Sequence, residues 1–220
     1  MTHNKNSVKI FSLNCQSLRP KMEHLKEDPM VFLSDIICIS ETWLDSDLIR
    51  EELLLPGYDL HLNSVGKGRG LAVYFKKDKG NWSCDLKKTD YQITKVTFNR
   101  LDVISIYRSS DSKISEVLDS LVKMLDFSKI ILLCGDFNIC YQMSRDNLLI
   151  RTLEDIGFRQ LVMEATHIKG GHIDHVYILG KHSVNADISL YSPYYCAKDH
   201  DAVISTVNVG DEICETIDPN

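Results

Sequence analysis

Apolar residues along this chain come in short runs, and several runs stop on a polar side chain. "VKIFSLN" alternates and predicts a strand closing at Asn14. Pro20 then opens a helical stretch through Leu25, and "DIICIS" is a buried strand running straight into Glu41. A turn at "PGY" (56–58) precedes "DLHLN" and "GLAVYF", paired strands separated by the glycine-bearing "GKGRG". "QITKVTF" and "DVISIY" read as a hairpin about Asn99–Arg100. From Ser112 to Phe127, the residues Ile114, Val117, Leu118, Leu121 and Leu125 recur at helical spacing, with Ser112 as N-cap. "KIILLCGDFNIC" (129–140) begins as a strand buried on both faces, is freed at Gly135, and then shows Asp136 and Asn138 two residues apart. A helix follows from Arg145 to Ile156, ended by Gly157. Gly170–Gly171 turns into "HIDHVYIL", and "ADISLY" and "AVISTV" are the last strands.

Strands outnumber helices, and two helices flank the central strand. That order predicts an α/β domain of two packed sheets with helices outside. No repeat or linker divides it, so one domain is expected over 8–209. Residues 1–7 are expected to be flexible, and the acidic 210–220 stretch to be a frayed tail.

The polar endings carry the chemistry. One alone is ordinary, because Asn and Asp cap turns. Repeated at Asn14, Glu41, Tyr107, Asp136 with Asn138, Asp174, and Asp199 with His200, it predicts convergence at one sheet edge. Glu41 and Asp199 offer hard oxygen ligands, suited to Mg2+ (or Mn2+ in its place) rather than zinc. His200 offers a titratable imidazole that Asp174 would hold in one tautomer. Asn14, Asn138 and Tyr107 offer neutral donors to phosphate oxygens. No serine or cysteine stands in a nucleophile elbow, so the set suggests metal-assisted attack by water on a phosphodiester.

Composition changes this picture little. With 44% hydrophobic and 25% charged residues, the chain has the make-up of an ordinary soluble globular protein. No apolar run reaches membrane-spanning length, and "MTHNKNS" is unlike a secretory signal, so neither membrane association nor export is expected. The 7 cysteines are irregularly spaced without a CxxC pair, and Cys38 and Cys134 read as buried thiols in a reducing compartment. A net charge of −6 argues against coating nucleic acid by bulk attraction. Yet Lys67, Arg69, Lys76, Lys77, Lys79, Lys87 and Lys88 face only Asp78 and Asp85 within one stretch. That stretch is either a lysine-blunted sheet edge or one wall of a phosphate-contacting groove. His172 and His175 would face opposite sides of a strand, which disfavours a zinc cluster with His167. His175 is expected to be packed or hydrogen-bonded, His172 to stand at a site rim, Trp43 to pack at the core or rim with base stacking as the lesser option, and Arg108 to lie at the surface or contact phosphate.

"SLNCQSLRPK", "DIICISETWL", "VISIYRS", "ILLCGDFNI", "GHIDHVYI" and "AKDHDAVIS" follow, in order, the motif series of the endonuclease/exonuclease/phosphatase superfamily. The chain most resembles the apurinic-type endonuclease domain of non-LTR (LINE-like) retrotransposons, over roughly Val8 to Val207. The "THIKGGHIDHVYI" stretch also looks like domains of Helitron-like transposon proteins. The resemblance implies a four-layered α/β sandwich, two mixed β-sheets packed face to face with helices outside, and a site at one edge. It implies Glu41 as metal ligand with Asn14 and Asp199 nearby, and Asp136 orienting or deprotonating water. Asn138 would steady water and phosphate, Tyr107 would contact phosphate, and His200, held by Asp174, would stabilise phosphoryl charge. Gln16 stands where repair relatives often carry an acid, which favours one metal ion. Lys67, Arg69, Lys76 and Arg108 complete the expected substrate contacts.

The leading expectation is therefore a magnesium-dependent DNA endonuclease that leaves a 3′-hydroxyl at a mobile-element target. It would be an intracellular monomer acting in the nucleus, and could belong to a larger mobile-element polyprotein. A superfamily phosphatase, an abasic-site repair endonuclease and an inactive nucleic-acid-binding module are the alternatives.

Overall fold

The computed structural model describes residues 7–44, 50–77, 81–98, 100–180, 186–196 and 199–209. The expected loose ends at 1–6 and 210–220, and Lys79, lie outside the described residues; Ser7 already belongs to the first strand. One sheet contains β1 (Ser7–Asn14), β2 (Ile36–Ser40), β3 (Tyr58–Asn63), β4 (Leu71–Lys76), β11 (Ala186–Tyr191) and β12 (Ala202–Asn208), in the order β11-β12-β1-β2-β4-β3. The other contains β5 (Asn81–Lys87), β6 (Tyr91–Phe98), β7 (Leu101–Arg108), β8 (Ile130–Asp136), β9 (Arg159–Gln160) and β10 (Asp174–Leu179), in the order β5-β6-β7-β8-β10-β9. The chain thus starts the first sheet, builds all of the second, and returns to finish the first.

Each sheet is mixed for a simple reason. β1–β2 and β7–β8 are parallel pairs, and the other pairings are antiparallel. A parallel pair needs a crossover, and helices on the outer faces supply it. α1 (Met22–Glu27) and α2 (Pro29–Phe32) lie between β1 and β2, and α3 (Ile114–Val122) lies between β7 and β8. α4 (Leu148–Ile156) follows β8 and packs with α3 on the second sheet. The result is the four-layered α/β sandwich, with one inter-sheet core and an outer core beneath each helical layer.

Strand alternation sorts the side chains. Val8 and Ile10 of β1, Leu132 and Cys134 of β8, and Val176 and Ile178 of β10 face the inter-sheet core. Their neighbours Phe11, Leu133 and Tyr177 face the helices. Cys38 and Cys134 are buried free thiols.

Some local expectations change. Ser112 does not cap α3: its Oγ donates to the Ser109 carbonyl at 3.0 Å, and the extended Lys113 precedes the helix. α4 starts later than Arg145, where Asn147 Oδ1 accepts the Leu149 N–H at 3.0 Å, and it stops at Gly157 with φ 104°. β5, β9 and α2 carry no pattern strong enough to predict them. β5 and β9 are edge strands, which need no two-sided apolar run, and α2 is a single turn.

Candidate active site

Inner-face parity explains how the polar groups meet. Asn14, Tyr107, Asp136 and Asp174 continue the inward-facing rows of β1, β7, β8 and β10 past their last apolar residues. Tyr107 is paired with Asp136, and Asp136 with Asp174, so three of them stand side by side across one sheet. Because β10 is antiparallel to β8, Asp174 opens its strand instead of closing it.

Asn14 joins the sheets. Its Nδ2 donates to Glu41 Oε1 at 2.9 Å and to Asp136 Oδ2 at 2.8 Å. Asp136 Oδ1 accepts the Asn138 backbone N–H at 2.8 Å, and Asn138 Nδ2 donates to the Arg108 carbonyl at 2.8 Å. On the other side, His200 Nδ1 donates to Asp174 Oδ2 at 2.8 Å. One donor atom each from Asp136, Asp174 and His200 lie within 4.8 Å of one another. All of these groups except Glu41 and Asn138 are buried, so the site opens to solvent through those two.

The backbone here is strained. Among the described residues, the non-glycines with positive φ are Gln16, Ser17, Glu41, Trp43 and Asn138, all in loops at this edge. Gly135 has φ 136°, and a Cβ there would meet the Ile106 carbonyl oxygen at 1.9 Å, so only glycine fits beside Asp136.

Electrostatics follow from packing acids together. Burial, then the neighbouring Asp174 carboxylate, push Asp136 up to about 8 against the pull of His200 and the Asn138 and Asn14 donors. Burial alone would lower His200, but its hydrogen bond to Asp174 and the charges of Asp174, Asp136 and Glu41 raise it to about 9. His200 is therefore an imidazolium at neutral pH, with Nε2 as a second donor. Tyr107 is held as a neutral phenol by burial and by the nearby acids, and donates to the Gly68 carbonyl at 3.1 Å.

The remaining expectations divide. Asp199 is exposed while His200 beside it is buried, and it is not one of the three clustered residues, Asp136, Asp174 and His200. Arg108 is buried, not at the surface; Nη1 donates to the Phe137 carbonyl at 3.0 Å and Nη2 to the Ser110 carbonyl at 3.3 Å, bracing the loop that follows Asp136. Lys76 lies away from this edge: β4 leaves it at Leu71, and five residues put Lys76 roughly 16 Å away. There its Nζ pairs with Asp35 at 3.1 Å. Lys67 and Lys88 are exposed on the site edge, and half-buried Arg69 lies near Asp111 at 3.8 Å. Gln16 donates its backbone N–H to Asn14 Oδ1 at 3.2 Å.

His175 is packed as expected, stacked on Phe137 at 4.7 Å, and burial pulls it down to about 4. His172 is buried instead of at the rim. His167 meets His200 edge to face at 4.8 Å. One site residue, Thr166, escaped the sequence reading, and Trp43 is read there for packing and not for a bond to Glu41. Thr166 Oγ1 donates to Asp174 Oδ2 at 2.6 Å, and the Trp43 indole N–H donates to Glu41 Oε2 at 3.2 Å. Both bonds depend on loop paths that no sequence spacing reveals.

The family model for the endonuclease/exonuclease/phosphatase family matches residues 11–200. The chain belongs to the endonuclease/exonuclease/phosphatase family. Solved structures similar to this family member agree with the sandwich. An AP endonuclease from Archaeoglobus fulgidus superposes with TM-score 0.69 at 17% identity, covering 90% of this chain and 98% of the other. The endonuclease domain of TRAS1, a telomere-specific non-LTR retrotransposon, gives 0.69 at 12% identity, covering 93% and 100%. The 3′ phosphatase NExo from Neisseria, bound to product DNA hairpin, gives 0.63 at 17%, covering 90% and 98%. No curated protein matches the sequence. Among the described residues of this family member, no helix is long and apolar enough to cross a membrane.

The donor set suits a divalent cation. Asp136 and Asp174 are gathered with His200, Glu41 is joined to them through Asn14, and Asp136 keeps a proton well above the carboxylate range. A buried surplus of negative charge of this kind is relieved by a cation as well as by a proton. Asp174 and His200 are committed to each other, which leaves Glu41 and Asp136, linked through Asn14, as the oxygens best placed to hold the ion.

Proposed function

We propose that the protein is a magnesium-dependent DNA endonuclease that nicks one strand, leaving a 3′-hydroxyl and a 5′-phosphate, in the service of a mobile element. The observation that carries this reading is the double hydrogen bond of Asn14. It sets an acid from each sheet beside the Asp174–His200 pair, in a site that opens at Glu41 and Asn138. The cation, held by Glu41 and Asp136, would neutralise charge on the phosphate. Asp136 orients the attacking water and takes its proton as oxygen bonds to phosphorus. The P–O3′ bond breaks with its electron pair on O3′, which takes a proton from solvent to become the 3′-hydroxyl. Asn138 fixes the water against that carboxylate. The His200 imidazolium, aimed by Asp174, donates to the phosphoryl oxygens as their charge grows. Tyr107 would reach the phosphate as a neutral donor only by turning its O–H away from the Gly68 carbonyl. Lys67, Arg69 and Lys88 contact the flanking backbone, which positions DNA without reading its sequence.

The intact acid–histidine set disfavours an inactive binding module. A phosphatase is the second reading, favoured by the likeness to NExo, and a single assay separates the two. Supercoiled plasmid and inositol phosphates are incubated separately with protein and Mg2+. Plasmid nicking with ligatable ends and no phosphate release supports the endonuclease. Phosphate release without nicking overturns it. A mobile-element role with nuclear action is suggested by the likeness to the TRAS1 endonuclease domain, and mapping of cleavage sites on genomic DNA tests it.

A further inference from the structure

Glu41 sits on a backbone that β2 does not prepare. By strand parity its side chain would turn toward the helices, but Glu41 has φ 53° and Trp43 φ 52°. Left-handed non-glycine residues cost about 1 kcal/mol or more each, so the surrounding structure must hold them. The 66–70 loop does so. The Thr42 N–H donates to the Gly70 carbonyl at 3.4 Å and the Trp43 N–H to the Arg69 carbonyl at 3.0 Å. That loop is fixed in turn by the Tyr107 phenol on Gly68 and by Gln92 Oε1, which accepts the Gly70 N–H at 3.0 Å.

The winding folds the indole of Trp43 back onto the acid two residues before it. Nε1 donates to Glu41 Oε2 at 3.2 Å, while Asn14 donates to Oε1 at 2.9 Å. A carboxylate gripped at both oxygens has lost its rotation, yet each oxygen keeps a second lone pair for a cation. Simple packing would not need the N–H to face the carboxylate, nor two strained residues to bring it there.

We propose that Trp43 is a positioning residue for the cation site: its indole N–H holds Glu41 in the orientation that receives a divalent ion. This rests on reading Glu41 as a cation ligand. The sequence has 2 tryptophans, so Trp82→Phe leaves Trp43 as the sole indole reporter. In that full-length protein, Mg2+ binding is followed by calorimetry, by tryptophan emission and by the indole 1H–15N resonance. The resonance and emission of Trp43 are expected to shift with the calorimetric midpoint. Trp43→Phe is expected to weaken Mg2+ binding about tenfold, with nicking recovered at saturating Mg2+. Parent-like Mg2+ affinity in Trp43→Phe overturns the proposal. If that variant does not fold, an indole resonance that ignores bound Mg2+ overturns it instead. A different failure is separable: Glu41→Gln binding Mg2+ as the parent does would remove Glu41 from the ligands, whatever Trp43 does.

Discussion

Asp102 and Asp136 are both buried carboxylates on neighbouring strands of the second sheet, one near each edge of the sandwich. Asp102 lies between two ammonium groups, Lys129 at 3.2 Å and Lys95 at 3.4 Å, and accepts the Thr97 hydroxyl at 2.7 Å. Asp35, on the first sheet at that same far edge, is likewise answered by Lys76 and by the Lys9 N–H at 3.0 Å. Asp136 receives neutral donors from Asn14 and Asn138 and faces a second acid, and burial and Asp174 push it up to about 8. A buried acid given its own lysine is architecture. A buried acid left facing another acid is waiting for an ion.

The sharpest way to break that contrast is to truncate both kinds. Asp136→Ala or His200→Ala should lower plasmid nicking by at least about a thousandfold while the cation-free protein stays folded. Asp102→Ala should instead lose about 3 kcal/mol in urea unfolding, because two half-buried lysines lose their partner, while the folded fraction nicks at the parental rate. An Asp136 variant that unfolds, or a folded Asp102 variant without activity, would erase the distinction.

Cation removal is the next test in size. Excess EDTA should abolish nicking, and a zinc-selective chelator in Mg2+ should leave it intact. Mg2+ at a hundred times its Kd should stabilise the parent by about 2.7 kcal/mol, and Glu41→Gln by much less. Full activity in EDTA would end the comparison between the two acids.

A smaller effect concerns pH. His200 binds its proton more tightly folded, at about 9, than at its ordinary 6.5. The stability this contributes is complete below 6.5 and is lost as pH rises through 9. Asp136, raised from 3.8 to about 8, works in the same direction, since the folded chain keeps a proton that the unfolded chain has released. In EDTA the melting temperature should therefore fall between pH 6.5 and 9, and His200→Gln should make the fall shallower. A stability that rises across this window in EDTA would show that the acids are answered in some other way.

The smallest effect separates two groups of lysines. Lys67→Gln with Lys88→Gln should make the slope of log affinity against log salt shallower, by roughly 0.9 for each DNA phosphate no longer neutralised. Lys76→Gln with Lys77→Gln should leave the slope unchanged. A slope that responds equally to both pairs would mean that DNA reaches the far edge as well.

Those lysines show where sequence reading runs out. The layers, the partner strands and the polar strand ends were legible, because alternation and buried runs are local signals. The tract from Lys67 to Lys88 looked like one surface because its charges are neighbours in sequence. β4 carries it from Lys67 to the far edge at Lys76, and β5 ends at the site edge near Lys88, so Lys76 lies where Lys67 and Lys88 do not. Trp43 and Thr166 were hidden for a related reason. Their bonds to Glu41 and Asp174 are set by left-handed turns and by a loop crossing, and no residue type announces either. Of the two readings of Arg108, the surface one fails, because its guanidinium turns inward to the Phe137 carbonyl.

The path of the chain, out of the first sheet, through the whole of the second and back, has a consequence for biosynthesis. Glu41 and Asn14 leave the ribosome early, Asp136 and Asp174 follow, and His200 comes just before β12, which must still pair with β1. Until that last strand emerges, Asp174 has no imidazolium and β1 lacks a neighbour. A half-made chain therefore lacks the imidazolium that the proposed cut would use, and the site is complete only once β12 pairs with β1, in the same event that seals the sheet.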